Sequence, residues 1–234
     1  MTDAHCARIS ELRESARRPG RYDVRLEPSG EKLPVSIELI AQLKLNPGRE
    51  LNPAEYARLV QGARAVACYD KALATLGARA RSSADLKRWL KTKDFTDAEI
   101  APVTEKLTAL GLLDDREYAR SFARSRLAPS RGFGPRRVAA ELAKRGVPRA
   151  IVDETLAEHA REQEAEAAAI AEQGGEPRLS AVAAAAAKKM KALEKLEPEI
   201  KRRRLYGYLA RRGFSGAEIG AVLRKIGRGE AEGG

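Results

Sequence analysis

Apolar residues recur at helical spacing along most of this chain, and each run opens on a helix-start signal. From Ser82 onward Leu86, Trp89 and Leu90, then Ile100, Val103, Leu107 and Leu110, then Tyr118 and Phe122 each line one helix face. Ser82 stands three residues before Asp85, Thr96 three before Glu99 and Asp114 three before Glu117. In each case a side-chain oxygen can take up the otherwise orphaned first amides. The pattern predicts three helices of about three turns each with short joints. Beyond a Pro/Gly joint at Ala128–Pro135, a second module is built on Val138, Leu142, Val147 and Ile151.

Upstream the period changes. Tyr22, Val24 and Leu26 alternate with polar residues, Pro28-Ser29-Gly30 makes a turn, and Leu33, Val35 and Ile37 alternate again. This predicts a short β-hairpin followed by a helix from Ser36 to Leu45. A lone hairpin is marginal in water, so it packs on that helix or on the first helical module, or else pairs with a partner's sheet edge; packing is the favoured reading. Asn46-Pro47-Gly48 stops the helix, and Asn52-Pro53 starts another that runs through Leu59, Val66, Tyr69 and Leu73 to Leu76. Cys68 on it reads as packed rather than reactive. Between Glu162 and Lys195 the chain is alanine-rich and interrupted by Gly174-Gly175-Glu176-Pro177, which predicts two helices flanking a break.

The plan repeats. Phe95-Thr-Asp-Ala-Glu-Ile-Ala-Pro-Val103 matches Phe214-Ser-Gly-Ala-Glu-Ile-Gly-Ala-Val222, with Leu86 and Leu90 upstream of one copy and Leu205 and Leu209 upstream of the other. Between them, Val138, Leu142 and Val147 follow the same order, one residue shorter before Ile151. Gly146 and Gly213 each follow a basic pair, as a left-handed glycine ending a helix would. Chance similarity among amphipathic helices is the alternative, but aromatic, cap and glutamate recur in register, which indicates tandem helical units. The expected organisation is a disordered tail over 1–20, a hairpin with a short helix over 21–52, and three-helix repeats over 53–112, 113–160 and 161–228. A loop near 174–178 lies in the third repeat, and 229–234 forms a disordered tail.

At these residues the chain resembles the RecX family, regulators of the RecA recombinase built from tandem three-helix repeats. RSSADLKRWL (Arg81–Leu90), GLLDDREYARSFARSR (Gly111–Arg126), GPRRVAAELAKRGV (Gly134–Val147) and LARRGFSGAEI (Leu209–Ile219) carry the resemblance, which covers about residues 65 to 227. The alanine-rich stretch departs from the family pattern and reads as a loop insertion, which leaves the register of the third repeat's first helix open.

Composition narrows the function. Against 33 acidic residues stand 44 basic ones, a formal net charge of +11, which implies nucleic acid or an acidic protein surface as partner. Apolar residues make up 43% but aromatics only 5%, so the core is built of Leu, Ile, Val and Ala. Two cysteines form no framework, no apolar run reaches the roughly 18 residues of a spanning helix, and no secretory pattern opens the chain. The expected location is the cytoplasm, and the resemblance to the RecX family implies a bacterial one. His5 beside Cys6 could ligate a metal, but no further Cys or His cluster supports it. Phosphate-cradling loops, dinucleotide fingerprints, zinc spacings and nucleophile constellations are missing from the sequence, so neither an enzyme nor a cofactor is expected.

Basic residues gather around the second joint: Arg120, Arg124, Arg126, Arg131, Arg136 and Arg137, with Lys144 and Arg145 further along. A helix start near arginines suits a phosphate or carboxylate; the alternative is a solvated basic face with scattered salt bridges. In the third repeat Lys201, Arg202, Arg203 and Arg204 lead to Tyr206 and Tyr208, then Arg211 and Arg212. These tyrosines suit stacking on bases, or else belong to the core or the helix surface. The expected protein is mostly α, three tandem three-helix repeats in an elongated array with a small N-terminal β-hairpin element. Such an array offers a long surface rather than a pocket. With the partner taken from the resemblance, it is expected to bind a RecA-type recombinase filament as a monomer. It would also bind single- and double-stranded DNA without regard to base sequence. It would modulate, and by expectation inhibit, ATP hydrolysis and strand exchange in homologous recombination and DNA repair. The alternatives are a sequence-independent or helix-turn-helix-like DNA binder with no recombinase partner, and a helical-repeat adaptor for acidic proteins. Against a base reader stands the near absence of Asn and Gln from the candidate helices.

Overall fold

The computed structural model describes residues 7–16, 18–173 and 180–232, with side chains as far as Gly227. His5, Cys6 and the loop read near 174–178 lie outside the described residues, as do the last two residues of the chain. The chain divides into two compact units. The first takes in the residues up to Arg81 together with Leu86–Leu113, and the second takes in Ser82–Asp85 and everything from Asp114 onward.

The first unit opens with β1 (Ala7–Glu14), β2 (Arg21–Glu27) and β3 (Lys32–Ser36), followed by α1 (Ile37–Leu43) and the short β4 (Glu50–Leu51). They form a four-stranded antiparallel sheet in the order β3-β2-β1-β4. The predicted hairpin is β2–β3, and it packs on β1, α1 and the start of α2 within its own unit. The tail expected over the first 20 residues is corrected from Ala7 onward, because β1 is a strand. Its alternation is hidden by an irregularity in register between Ile9 and Glu11. The extra residue lets Ile9 and Leu12, spaced by three, both turn toward the core. Under the sheet, Ile9, Val24, Leu26 and Val35 are fully buried against α1 and the start of α2 (Pro53–Ala78), where Leu59 and Ala63 meet them.

Helix α2 serves two cores. Its first half faces the sheet; its second half, with Cys68 and Ala72, packs on α3 (Ser83–Lys91) and α4 (Asp97–Ala109). Gly62 lies where α2 passes α1: a Cβ there would sit 2.4 Å from Leu39 Cδ2, so the Leu39 side chain would have to shift. The predicted caps are made: Asn52 with Glu55 and Thr96 with Glu99 form reciprocal capping boxes, and Asp114 Oδ1 accepts from the amides of Arg116 and Glu117. Across this unit Arg64 pairs with Glu99 and donates to the carbonyl of Asp94 at 2.7 Å. The pairing holds the Glu99 carboxyl at about 2, below its ordinary 4.5, while burial pushes the Cys68 thiol up to about 11.

The second unit contains α5 (Asp115–Leu127), α6 (Pro135–Lys144) and α7 (Arg149–Glu172), then α8 (Ala181–Met190), a single 3-10 turn (Lys191–Leu193), α9 (Pro198–Arg211) and α10 (Gly216–Glu232). Two differences from expectation appear. The alanine-rich residues 162–172 continue α7 instead of opening the third repeat, and residues 229–232 continue α10 instead of forming a tail. Residues 162–172 contain neither Gly nor Pro and are rich in alanine, so propensity carries α7 past its last buried residue; α10 continues through Gly227 and Gly229 in spite of their low propensity. Each three-helix set encloses its own small core. Val138 and Leu142 anchor one, and Leu205, Leu209 and Phe214 anchor the other.

Candidate nucleic-acid interface

Helices α6 and α9 are the middle helices of their repeats, and both end in a basic pair followed by a left-handed glycine. Gly146 has φ +79° and Gly213 has φ +90°. Aligned on these glycines, Arg136 matches Arg203, Arg137 matches Arg204, Lys144 matches Arg211 and Arg145 matches Arg212, while Val138 and Leu142 match the buried Leu205 and Leu209. Apolar residues thus fix the inner face of each helix. The same basic residues then recur at the same positions around it.

The two repeats are joined backbone to backbone. The amide of Gly134 donates to the Arg212 carbonyl at 2.8 Å, and the Arg136 amide donates to the Gly213 carbonyl at 3.1 Å. A Cβ on Gly134 would sit 2.4 Å from the carbonyl carbon and oxygen of Gly213, and one on Gly213 would sit 2.4 Å from the Arg137 nitrogen. The α6 start, read from sequence as a possible anion site, therefore spends a first-turn amide on the neighbouring repeat. The segment Ser82–Asp85 uses a related device: Ser82 Oγ donates to the Arg145 carbonyl at 2.6 Å, beside Gly146.

Several candidate arginines are held by the protein itself. Phe133 is flanked by three guanidinium groups, those of Arg137 at 4.3 Å, Arg212 at 5.1 Å and Arg126 at 5.9 Å from the ring centroid. Phe122 lies between Arg145 at 4.6 Å and Arg126 at 5.1 Å. Arg212 also donates to the carbonyls of Arg131 and Gly132 and stacks on Tyr208, which Lys189 covers as well. Arg137 bonds Glu141, and Arg120 grips Glu158 through two hydrogen bonds of 3.0 and 3.3 Å. With Arg116 on Glu154 at 2.5 Å, this makes two rungs between the parallel helices α5 and α7.

A different set faces outward. Arg124, Arg131, Arg136, Arg202, Arg203, Arg204 and Arg211 are exposed, and their side chains have no hydrogen-bond or salt-bridge partner among the described residues. Lys144 is exposed and Lys201 half-buried, and each has an interaction within the protein. Tyr206 is exposed beside the arginines of α9, whereas Tyr208 is half-buried. Sequence reasoning missed Phe122 and Phe133 as organisers of the cluster. The available signal was Gly132-Phe133-Gly134, an aromatic between glycines next to the basic run.

Fold and surface together define a tandem three-helix repeat protein with basic middle helices. The chain belongs to the RecX family of regulatory proteins. The models of the RecX first, second and third three-helix domains match residues 68–107, 114–156 and 176–223. Regulatory protein RecX of Pelodictyon phaeoclathratiforme is 33% identical over 155 residues, 66% of this chain and 86% of that protein. Its counterpart from Geobacillus thermodenitrificans is 28% identical over 225 residues, 96% of this chain and 77% of that protein. A crystal structure of regulatory protein RecX shares the fold, with TM-score 0.69 at 22% identity over 92% of this chain and 98% of the other. No helix among the described residues is long and apolar enough to cross a membrane.

Proposed function

We propose that this chain is a regulator of a RecA-type recombinase that lies along the recombinase–DNA filament and restrains its ATP turnover and strand exchange. The supporting observation is the repetition of exposed basic residues at matching positions on α6 and α9, Arg136 with Arg203 and Lys144 with Arg211. A repeated basic element can follow a repeating polyanion with several weak contacts at once, and linked contacts raise avidity steeply. Inhibition follows if the bound chain occupies the path of incoming duplex or favours one filament state over another. The test is titration into a recombinase–single-strand reaction, following ATP hydrolysis and strand exchange with binding measured separately. Both rates should fall as the chain saturates the filament; unchanged rates at confirmed saturation sink the regulatory reading. The second reading, a DNA binder without a recombinase partner, predicts equal affinity for bare DNA and for filament.

A further inference from the structure

In the second repeat two arginines from different helices share one carboxylate and hold it loosely. Arg137 Nε donates to Glu141 Oε1 at 3.3 Å, and Arg126 Nε, on α5, lies 3.9 Å from Oε2. Both distances exceed the roughly 2.7–2.9 Å of a well-made charge-assisted bond. The rungs between α5 and α7 are closer, at 2.5 Å for Arg116 and 3.0 Å for Arg120. Rings fix the arginines themselves: Arg137 lies over Phe133, and Arg126 contacts both Phe122 and Phe133. Arg145, a third, lies over Phe122 and donates to the Glu141 carbonyl at 3.1 Å. Stacking occupies guanidinium faces and leaves the N–H edges for an oxyanion. The side chains of Glu141, Arg126 and Arg137 are 27%, 32% and 44% exposed, so a ligand can reach them. Counted from Gly146 and Gly213, Glu141 corresponds to Tyr208, so α9 builds the same turn of the middle helix without a carboxylate.

We propose that Arg126 and Arg137 form a seat for a backbone phosphate of nucleic acid, and that Glu141 sits in it as an internal competitor which the phosphate must displace. The two carboxylate oxygens face one arginine each, the arrangement that the two non-bridging oxygens of a phosphodiester take between two guanidinium forks. The exchange needs little reorganisation, because Phe122 and Phe133 keep the guanidinium planes in place when the carboxylate leaves. A strand is favoured over a lone anion by Arg124 and Arg136, within two residues of the seat in sequence. Both are exposed and have no hydrogen-bond or salt-bridge partner among the described residues, so they can meet adjoining phosphates. The seat rests on the nucleic-acid part of the reading above. It adds that the second repeat binds DNA against its own carboxylate, which holds affinity below what its arginines could supply.

Removing the competitor tests the seat. Binding of a fluorescein-labelled single strand is followed by anisotropy for the full chain and its variants, with thermal melts to confirm folding. Glu141→Gln should bind about fivefold tighter, the scale of releasing one half-exposed ion pair. Its salt dependence should steepen by about 0.7 in log–log slope, for one more phosphate neutralised. Glu164→Gln makes the same charge change at an exposed carboxylate of α7 with no hydrogen-bond or salt-bridge partner among the described residues. It should gain less than about twofold, because a solvated charge away from the seat is screened. With Arg137→Gln already in place, Glu141→Gln should likewise gain less than about twofold, since the interaction it releases has gone. No gain from Glu141→Gln, or an equal gain from Glu164→Gln or in the Arg137→Gln background, overturns the seat and leaves DNA binding as such standing. A gain with recombinase filament but none with bare strand gives the seat to a partner's carboxylate and refutes the phosphate. Loss of the gain on adding a little inorganic phosphate at constant ionic strength gives it to free phosphate and refutes the strand. If the unsubstituted chain binds no bare DNA, the nucleic-acid reading itself fails and the seat with it.

Discussion

Arginines of similar appearance in the sequence do opposite work in the structure, and substitution separates them. Arg136 and Arg203 are exposed and free of hydrogen-bond or salt-bridge partners among the described residues, so reversing both to glutamate should change stability by no more than about 0.5 kcal/mol. The same change should lower DNA affinity and reduce the salt slope by about 1 for each phosphate no longer neutralised. Arg212 is different: it holds the carbonyls of Arg131 and Gly132 and stacks on Phe133 and Tyr208. Arg212→Ala should cost on the order of 1 kcal/mol or more, through two lost hydrogen bonds at a half-exposed site and the lost stacking on two rings. Thermal melts alongside DNA titrations check both; equal destabilisation by the two changes would refute the division. In the first unit, the Arg64–Glu99 pair carries a pH dependence. Because the hydrogen bond from Arg64 depresses the folded carboxyl to about 2 from 4.5, its stabilisation is fully present above 4.5 and fades as pH falls through about 2. Arg64→Ala should therefore lower the thermal midpoint at neutral pH, and the two proteins' midpoints should converge toward pH 2.

Helices α6 and α9 are held in register by a close approach that tolerates no side chain. Gly213 needs its left-handed backbone and also lies against the Arg137 nitrogen, so Gly213→Ala incurs both a conformational cost and a clash. The backbone alone costs about 1–2 kcal/mol. Gly134→Ala, with ordinary φ, meets only the clash, yet its obstacle is the Gly213 carbonyl, which cannot swing aside as a flexible side chain can. Both variants should lower the melting temperature of the second unit while the first unit's Cys68 stays unreactive. A Gly134→Ala protein as stable as the parent would mean that the junction is not close-packed. Gly77, by contrast, meets nothing within 4 Å of an added Cβ, so Gly77→Ala should be neutral or stabilising.

Across the chain, net charge and repetition should set how DNA is bound. Affinity for bare DNA should fall linearly with the logarithm of salt concentration and vary little among base sequences, because guanidinium groups on smooth helix faces meet phosphates rather than base edges. Fluorescence anisotropy with two unrelated oligonucleotides over a salt series measures this. A slope near zero, or strong preference for one sequence, would argue against phosphate tracking. Not all of the basic excess is available to a partner, since Arg116 and Arg120 are occupied by the carboxylates of α7.

Features of local character were legible without the fold. Helix starts at Asn52, Thr96 and Asp114, the hairpin of β2 and β3, and the repeated Phe–Ser/Thr–x–x–Glu segments all depend on neighbours within a turn or two, so spacing alone reveals them. Net positive charge and repeat number could be read for the same reason. The remaining features depended on long-range packing. Strand β1 escaped notice because the register irregularity after Ile9 breaks its alternation, and only the partner strand shows which residues face inward. The end of α7 was misplaced because alanine favours helix wherever it stands and says nothing about which repeat it joins. Above all, sequence could not sort the arginines. Whether a guanidinium is spent or free depends on partners far along the chain, Glu158 for Arg120 and Phe133 for Arg212, and only folding brings those within reach.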